Sequence, residues 1–346
     1  MKILITGTDG YLGSLLAPQL ALQHDILGVD TGFYREGWLY QPDATTLPAT
    51  LCKDIRHIER ADLEGIDAVV HMAELSNDPT GELDPDITYK INHAASVRLA
   101  SLARDAGVRR FVYMSSCSVY GVGSDGFINE ESPVNPQTAY AICKTFVERD
   151  VQALATDDFS PTFLRNATAF GASPRMRFDI VLNNLCGLAS TTGEIKMLSD
   201  GTPWRPLVHG LDIARAIECV LAAPRETVHQ QVLNVGSNQQ NYRVREIAEI
   251  IAGVFPGCRL TFGGLPSDNR SYRVSFDKIH ALLPDFSCSW DALSGARQLH
   301  ALFSRIDFTR ERFEFRAFTR LKALEYLLRT AQIDREFFWT PVPTAS

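Results

Sequence analysis

The chain of 346 residues is poor in paired sulfurs, in clustered histidines and in positive charge. Its seven cysteines, at 52, 117, 143, 186, 219, 258 and 288, are odd in number, widely spaced and never arranged as C-x-x-C. That pattern gives neither a zinc ribbon nor a disulfide framework, and the thiols read as buried ones in a reducing compartment. The eight histidines contain no H-x-x-x-H pair, which removes the helical two-histidine metal site, and no metal is expected. Basic residues number 34 against 41 acidic ones, a formal net charge of −7. Nucleic-acid and membrane-surface binders need the opposite field, so neither partner is expected. No apolar run reaches the roughly 20 residues of a membrane-spanning helix. The opening MKILITG runs from a lone Lys2 straight into a strand-like segment, with no signal-peptide cleavage pattern. A cytoplasmic protein is the expectation.

What is present is alternation. KILITG, DILGVD, IDAVVHMA, VRRFVYMSS and SPTFLRNAT read as short buried strands, because they are apolar and β-branched and bounded by turn residues. Between them YLGSLLAPQLALQ, 86–106 and 137–156 have helical apolar spacing. Strand and helix in turn predict α/β structure: a Rossmann-type, doubly wound parallel sheet covered on both faces. Residues 1–172 form this domain. From 173 to 299 Gly- and Pro-rich loops alternate with helices and short strands, which predicts a smaller C-terminal α/β substrate lobe, some of whose elements return to the first domain. Residues 300–346, rich in Arg and Phe with mixed charge, predict a helical extension docked on the body or on a partner subunit. No internal repeat is evident.

ITGTDGYLGSLL places Gly7, Gly10 and Gly13 directly after the first strand and at the start of the first helix. In that context glycines allow a tight turn, close backbone approach to a pyrophosphate, and close packing of helix on strand. Gly7, Asp9, Gly10, Tyr11, Leu12 and Gly13 are therefore candidate dinucleotide contacts. Asp30 ends the second strand, where an acid accepts hydrogen bonds from ribose hydroxyls and repels a 2′-phosphate, so NAD is favoured over NADP. Asp54 and Ile55 in CKDIR, and Met72, Ala73 and Glu74 after VVH, complete the candidate cofactor contacts.

NPQTAYAICKTFVERD carries Tyr140 and Lys144 one helical turn apart on one face. A cation beside a tyrosine favours its phenolate and suits it to act as a general base. About two dozen residues earlier, SSCSVYG sets Ser115, Ser116, Cys117 and Ser118 at the end of a strand.

Together these pieces resemble the extended short-chain dehydrogenase/reductases of the nucleotide-sugar epimerase/dehydratase type. TGTDGYLG, VVHMAELS (similar to the family's H-x-A-A stretch), INHAASVRLASLARDAGVRRFVYMSSCSVYG, NPQTAYAICK, LSDGTPWRPLVHGLDIARA and VLNVGS carry the resemblance over about residues 1–285. It implies Tyr140 as catalytic base, Lys144 as the group that orients the ribose and lowers the tyrosine pKa, and Ser116 as the hydroxyl on the sugar oxygen. It also implies transient oxidation of the sugar at C4 with NAD, and a homodimer through the helices near 90–106 and 138–155. Asn183, Arg205 and Arg270 resemble the residues that hold the diphosphate of a nucleotide-diphosphate sugar. In RNATAFG, Thr168 stands where the family has asparagine. Dehydratases of the family carry Asp-Glu after the catalytic hydroxyl; here Cys117 and Ser118 stand there, which disfavours dehydration. Ring-contracting members have a cysteine at the position of Cys117. The expectation is an epimerase acting through a 4-keto sugar. Two alternatives are a ketosugar-forming or ring-contracting synthase using Cys117, and a non-catalytic dinucleotide sensor.

Overall fold

Ile3 and Ile5 face one side of the first strand, β1 (Lys2–Thr6), and Leu4 faces the other; all three are fully buried. A strand apolar on both faces belongs in the middle of a covered parallel sheet. In the computed structural model, which describes residues 1–42, 47–122, 126–265 and 271–341, β1 is central. The other strands of its sheet are β2 (Asp25–Asp30), β3 (Ala49–Cys52), β4 (Ala68–His71), β5 (Arg110–Ser116), β6 (Ser160–Asn166) and β7 (Val232–Val235). They lie in the order β7-β6-β5-β4-β1-β2-β3, all neighbours parallel.

Helices α1 (Gly13–Ala21) and α5 (Gly210–Ala222) bury Leu16, Ala17, Ile213 and Ile217 against the Ile3/Ile5 face. On the Leu4 face lie α2 (Ser96–Asp105) and α3 (Ala139–Gln152), through Leu99, Ala103, Val147 and Val151. Leu324 and Leu327 of α8 (Arg320–Arg329) complete that core. A third core joins α4 (Val181–Thr192), α6 (Val244–Val254) and α7 (Ala292–Arg305) through Leu182, Ile247, Ile251, Leu299 and Phe303. Among the described residues no helix is long and apolar enough to cross a membrane.

Two elements differ from expectation. β3 pairs only with β2, at the sheet edge, and all four of its residues are exposed, so it lacks the apolar signal by which buried strands are read. The helix expected over 86–106 is broken into Pro85–Thr88, a wide turn over Tyr89–Ala95, and α2. The wide turn sets Asn92, fully buried, against the loop after β4. There its Oδ1 accepts from Leu75 N at 2.8 Å and its Nδ2 donates to Leu75 O at 3.0 Å.

Candidate active site

β1 has β2 on one side and β4 on the other, so the winding of the sheet reverses there. Open α/β sheets bind ligands at the carboxyl ends of strands flanking such a switch. A cleft of about 510 Å³ opens at this place. Gly7 turns there with φ of +82° and donates its N–H to Val29 O at 2.7 Å. A Cβ on Gly13 would lie 2.1 Å from Gly7 O, so only glycine lets α1 start this close to β1. The start of α1 thereby turns its positive dipole end toward the cleft.

Asp30 lines the cleft at the end of β2. Its Oδ2 accepts from Asp9 N at 3.0 Å and its Oδ1 from Gly32 N at 2.8 Å, which fixes the carboxylate in place. Burial pushes this carboxyl up to about 6, against the pull of the Gly32 N–H. Asp54 and Ile55 line the same end, Asp54 being held by Arg56 Nη2 at 2.7 Å.

Across the switch, the turn after β4 is locked. Thr6 Oγ1 accepts from Met72 N and Ala73 N, both at 3.1 Å, and so donates its own proton to His71 Nδ1 at 2.7 Å. His71 Nε2 then donates to Ser96 Oγ at 2.7 Å. The ring stays neutral, its pKa lowered to about 3 by burial and then by Lys144. Met72 and Ala73 thus present their backbone to the cleft, next to the buried Glu74 carboxylate.

The third wall is β5 and α3. The side chain of Thr138 caps α3, accepting from Ala141 N at 3.2 Å, and donates to Asp78 Oδ1 at 2.6 Å. Glu82 Oε1 accepts from Ala139 N at 2.7 Å, so two carboxylates favour this helix start. The cap directs Tyr140 into the cleft, where its hydroxyl is hydrogen-bonded to Ser116, and Ser116 Oγ also accepts from Ser118 N at 3.1 Å. Lys144 Nζ lies 5.4 Å from the Tyr140 ring centre and 4.7 Å from that of Tyr113; it pairs with Glu74 Oε2 at 2.6 Å and donates to Met114 O. Burial works against the ammonium, but Glu74 and Tyr140 outweigh it and hold the Lys144 pKa above its ordinary value. Burial raises the Tyr140 pKa; Lys144 opposes this, while Glu74 and Asp78 add to it.

The sequence profile of the NAD dependent epimerase/dehydratase family matches residues 3–236, which hold all of these groups. The chain belongs to that family. A UDP-glucose 4-epimerase of Lactobacillus helveticus is 28% identical over 282 residues, spanning 73% of this chain and 82% of the relative. A UDP-N-acetyl-alpha-D-glucosaminuronate decarboxylase of Bacillus cytotoxicus is 24% identical, spanning 81% and 85%. The solved structure of MoeE5 in complex with UDP-glucuronic acid and NAD superposes with a TM-score of 0.75 at 26% identity, over 88% of this chain and 99% of that one. NAD is the cofactor. The residues present fit it. The glycine loop, Asp30 and the locked Met72–Ala73 backbone border one cleft. Among the described residues, buried polar atoms of cleft-lining residues that lack a hydrogen-bond partner include Tyr34 Oη, Ser118 Oγ, Asn166 Oδ1 and Arg320 Nη2. Buried polar groups without partners are costly and mark places where a polar ligand is received.

In this family member several expected contacts lie elsewhere. Cys117 is 1% exposed and its thiol turns away from the cleft, donating to Arg165 O at 3.2 Å. Burial favours the protonated thiol, raising its pKa above the ordinary one. Asn183 is fully buried; its Oδ1 accepts from Gly171 N at 2.9 Å and its Nδ2 donates to Arg177 O at 3.1 Å. It shapes the loop between β6 and α4 and does not border the cleft. Asp9 acts through its backbone on Asp30, while its side chain lies 3.9 Å from Arg175. Arg205 borders the cleft and donates to Trp204 O at 2.8 Å. Arg270 lies outside the described residues. Gly10, Tyr11 and Leu12 line the cleft, the Tyr11 hydroxyl donating to Gly171 O at 2.8 Å.

Other cleft residues carried no motif. Arg177 is held bidentate by Asp179, at 2.8 Å through Nε and 3.2 Å through Nη2, and Asp179 also accepts from Asn77 Nδ2 at 2.9 Å. This cluster joins the loop after β4 to the loop before α4. Ser115, beside Ser116, donates to Glu148 Oε1 at 2.5 Å, and Arg165 clamps that carboxylate at 2.6 and 2.9 Å. Its hydroxyl is thereby committed to the scaffold.

Proposed function

We propose that the protein is an NAD-dependent nucleotide-sugar 4-epimerase working through a transient 4-keto sugar. The observation that carries this reading is the convergence of Ser116, Tyr140 and Lys144 at the cleft, with no carboxylate at either position after the serine. Tyr140 Oη takes the proton of the sugar 4-hydroxyl, and Ser116 orients that oxygen. The Lys144 charge favours the phenolate form of Tyr140. When bound beside the glycine loop and Asp30, NAD would supply the reversible hydride acceptor for C4. On return, Tyr140 gives the proton back to the sugar O4, while C4 is re-reduced on its opposite face. Arg205 and Tyr272 border the cleft on the lobe side, where a sugar-nucleotide diphosphate is the ligand that a guanidinium fork suits. Similarity to UDP-glucose 4-epimerases supports the reaction class. The reading includes a homodimer through the outer face of α2, the wide turn before it and α3, where Tyr89 of the turn and Ile142 and Phe146 of α3 are half-exposed.

The test is incubation with UDP-, GDP-, CDP- and dTDP-hexoses in D₂O, with products identified by NMR and mass. The expected product has the substrate's mass, inverted C4, and protium retained at C4, because the same hydrogen leaves and returns. Loss of water or carbon dioxide from the product, or deuterium at C4, would overturn the proposal. A ring-contracting route through Cys117 predicts collapse of turnover in Cys117→Ala. With the thiol turned into the core, Cys117→Ala is expected to keep turnover within about threefold, at a modest stability cost of ~1–2 kcal/mol.

A further inference from the structure

The extension after α7 reaches the cofactor end of the cleft. Trp339 Nε1 donates to Thr31 O at 2.6 Å, directly after Asp30, and its ring lies 5.8 Å from that of Phe33. Phe338 stacks on His57 at 4.8 Å, and Arg56, which holds Asp54, donates to Glu336 O at 2.7 Å. Thus the tail is tied to both loops that flank the ribose side of the cleft. At the start of α8, Arg320 borders the cleft itself and is only 2% exposed. Its backbone N–H donates to Asp179 Oδ2 at 3.1 Å, and its Nη1 donates to Ala317 O at 3.3 Å. The guanidinium lies 4.0 Å over the Tyr34 ring, and Nη2 has no partner.

Asp179 and Asp30 compensate the charge of Arg320 only in part. Asp179, the carboxylate nearest its backbone, has both oxygens engaged by Arg177. Asp30 carries two backbone N–H groups. Arg177 adds a second cation facing Arg320, and burial together with that repulsion lowers the Arg320 pKa to about 10. A nine-tenths buried guanidinium with a free fork edge, beside a second arginine and a glycine loop, has the chemistry of a diphosphate receptor.

We infer that Arg320 binds the diphosphate of the dinucleotide, and that the segment from α8 to Trp339 is a clasp slowing release of NAD. This rests on the cofactor and not on the reaction proposed above, so it stands or falls independently of the epimerase reading. A sugar nucleotide offers the same chemistry. Proximity to Tyr34 and Asp30, and the ties of the tail to Thr31 and Asp54, favour the dinucleotide.

Two measurements on the full chain separate the sources: NAD retained through gel filtration, with its dissociation rate on dilution, and UDP affinity of the NAD-loaded protein by calorimetry. Arg320→Gln is expected to raise the NAD dissociation rate about tenfold or more, while UDP affinity changes less than about twofold. Arg320→Lys keeps a charge but loses the fork, and is expected to fall between; it carries the test if Arg320→Gln does not fold. Trp339→Ala, distant from the diphosphate, is expected to speed release severalfold. Unchanged NAD release in Arg320→Lys and Arg320→Gln would overturn the inference. So would weakened UDP binding with NAD release unchanged, because the guanidinium would then serve the substrate.

Discussion

Tyr140→Phe lowers kcat by about 10²–10⁴-fold and leaves NAD in place. The substitution removes one oxygen and keeps the ring, so the packing of Tyr140 against Gly81 is retained. Lys144 also keeps its place, because Glu74 and Met114 O hold it without help from the phenol. Loss of the oxygen therefore removes the proposed base and the hydrogen bond to Ser116, and little else. Turnover is followed on whichever nucleotide sugar the wild type accepts, and bound NAD by absorbance after denaturation. If the variant keeps more than about a tenth of the wild-type rate, Tyr140 is not the base. A proportional loss of NAD would instead show that the phenol serves cofactor binding.

Much of this arrangement is legible in the order of residues alone, and the reason lies in range. The glycine loop, Asp30 and the Tyr140–Lys144 pair each depend on backbone geometry within one turn or one helix face, which neighbouring residues dictate locally. The apolar strands of the large sheet are legible for the same reason. The rest depends on contacts between distant segments. Cys117 and Ser116 are adjacent, yet Ser116 ends β5 and Cys117 opens the tight helical turn that follows it, so the two side chains part. Nothing local tells which side meets the cleft. Asn183 lies on α4 where a diphosphate contact is expected, but the loop carrying Gly171 and Arg177 folds over it and takes both its amide groups. Arg320 lies beyond every motif, and the docking of Leu324 and Leu327 under the sheet brings it to the cleft. The edge strand β3 is illegible because an exposed strand with one neighbour needs no apolar pattern.

Glu74 gives the remaining large effect. It is the fourth residue of the stretch His71–Glu74 that resembles H-x-A-A, so a carboxylate stands where that pattern has a methyl group. Tyr113 donates to its Oε1 at 2.5 Å, and Lys144 pairs with its Oε2. The charged groups facing Tyr140 are thus Lys144 on its own helix, Glu74 after β4, and Asp78 and Arg177 from the flanking loops. Glu148 lies beyond Lys144, and His71 is neutral. Glu74 offsets the cation that would otherwise favour the phenolate. Glu74→Gln keeps an acceptor for Tyr113 and removes the charge. The push that raises the Tyr140 pKa then weakens, and the acid limb of kcat/KM moves to lower pH by roughly one unit. Lys144 loses its main support against burial, so the alkaline limb moves down too. Stability follows the same pair. Because the folded Lys144 pKa is raised above 10.5, its contribution is full below that value and is lost as pH rises through the raised one. Glu74→Ala leaves a buried ammonium and costs about 3–5 kcal/mol near neutrality, read by urea titration. Adding Lys144→Met removes the orphaned charge, so the double variant is more stable than Glu74→Ala alone. An unshifted pH profile in Glu74→Gln, together with strictly additive stability losses in the double variant, would mean that the carboxylate does not act on Tyr140 through Lys144.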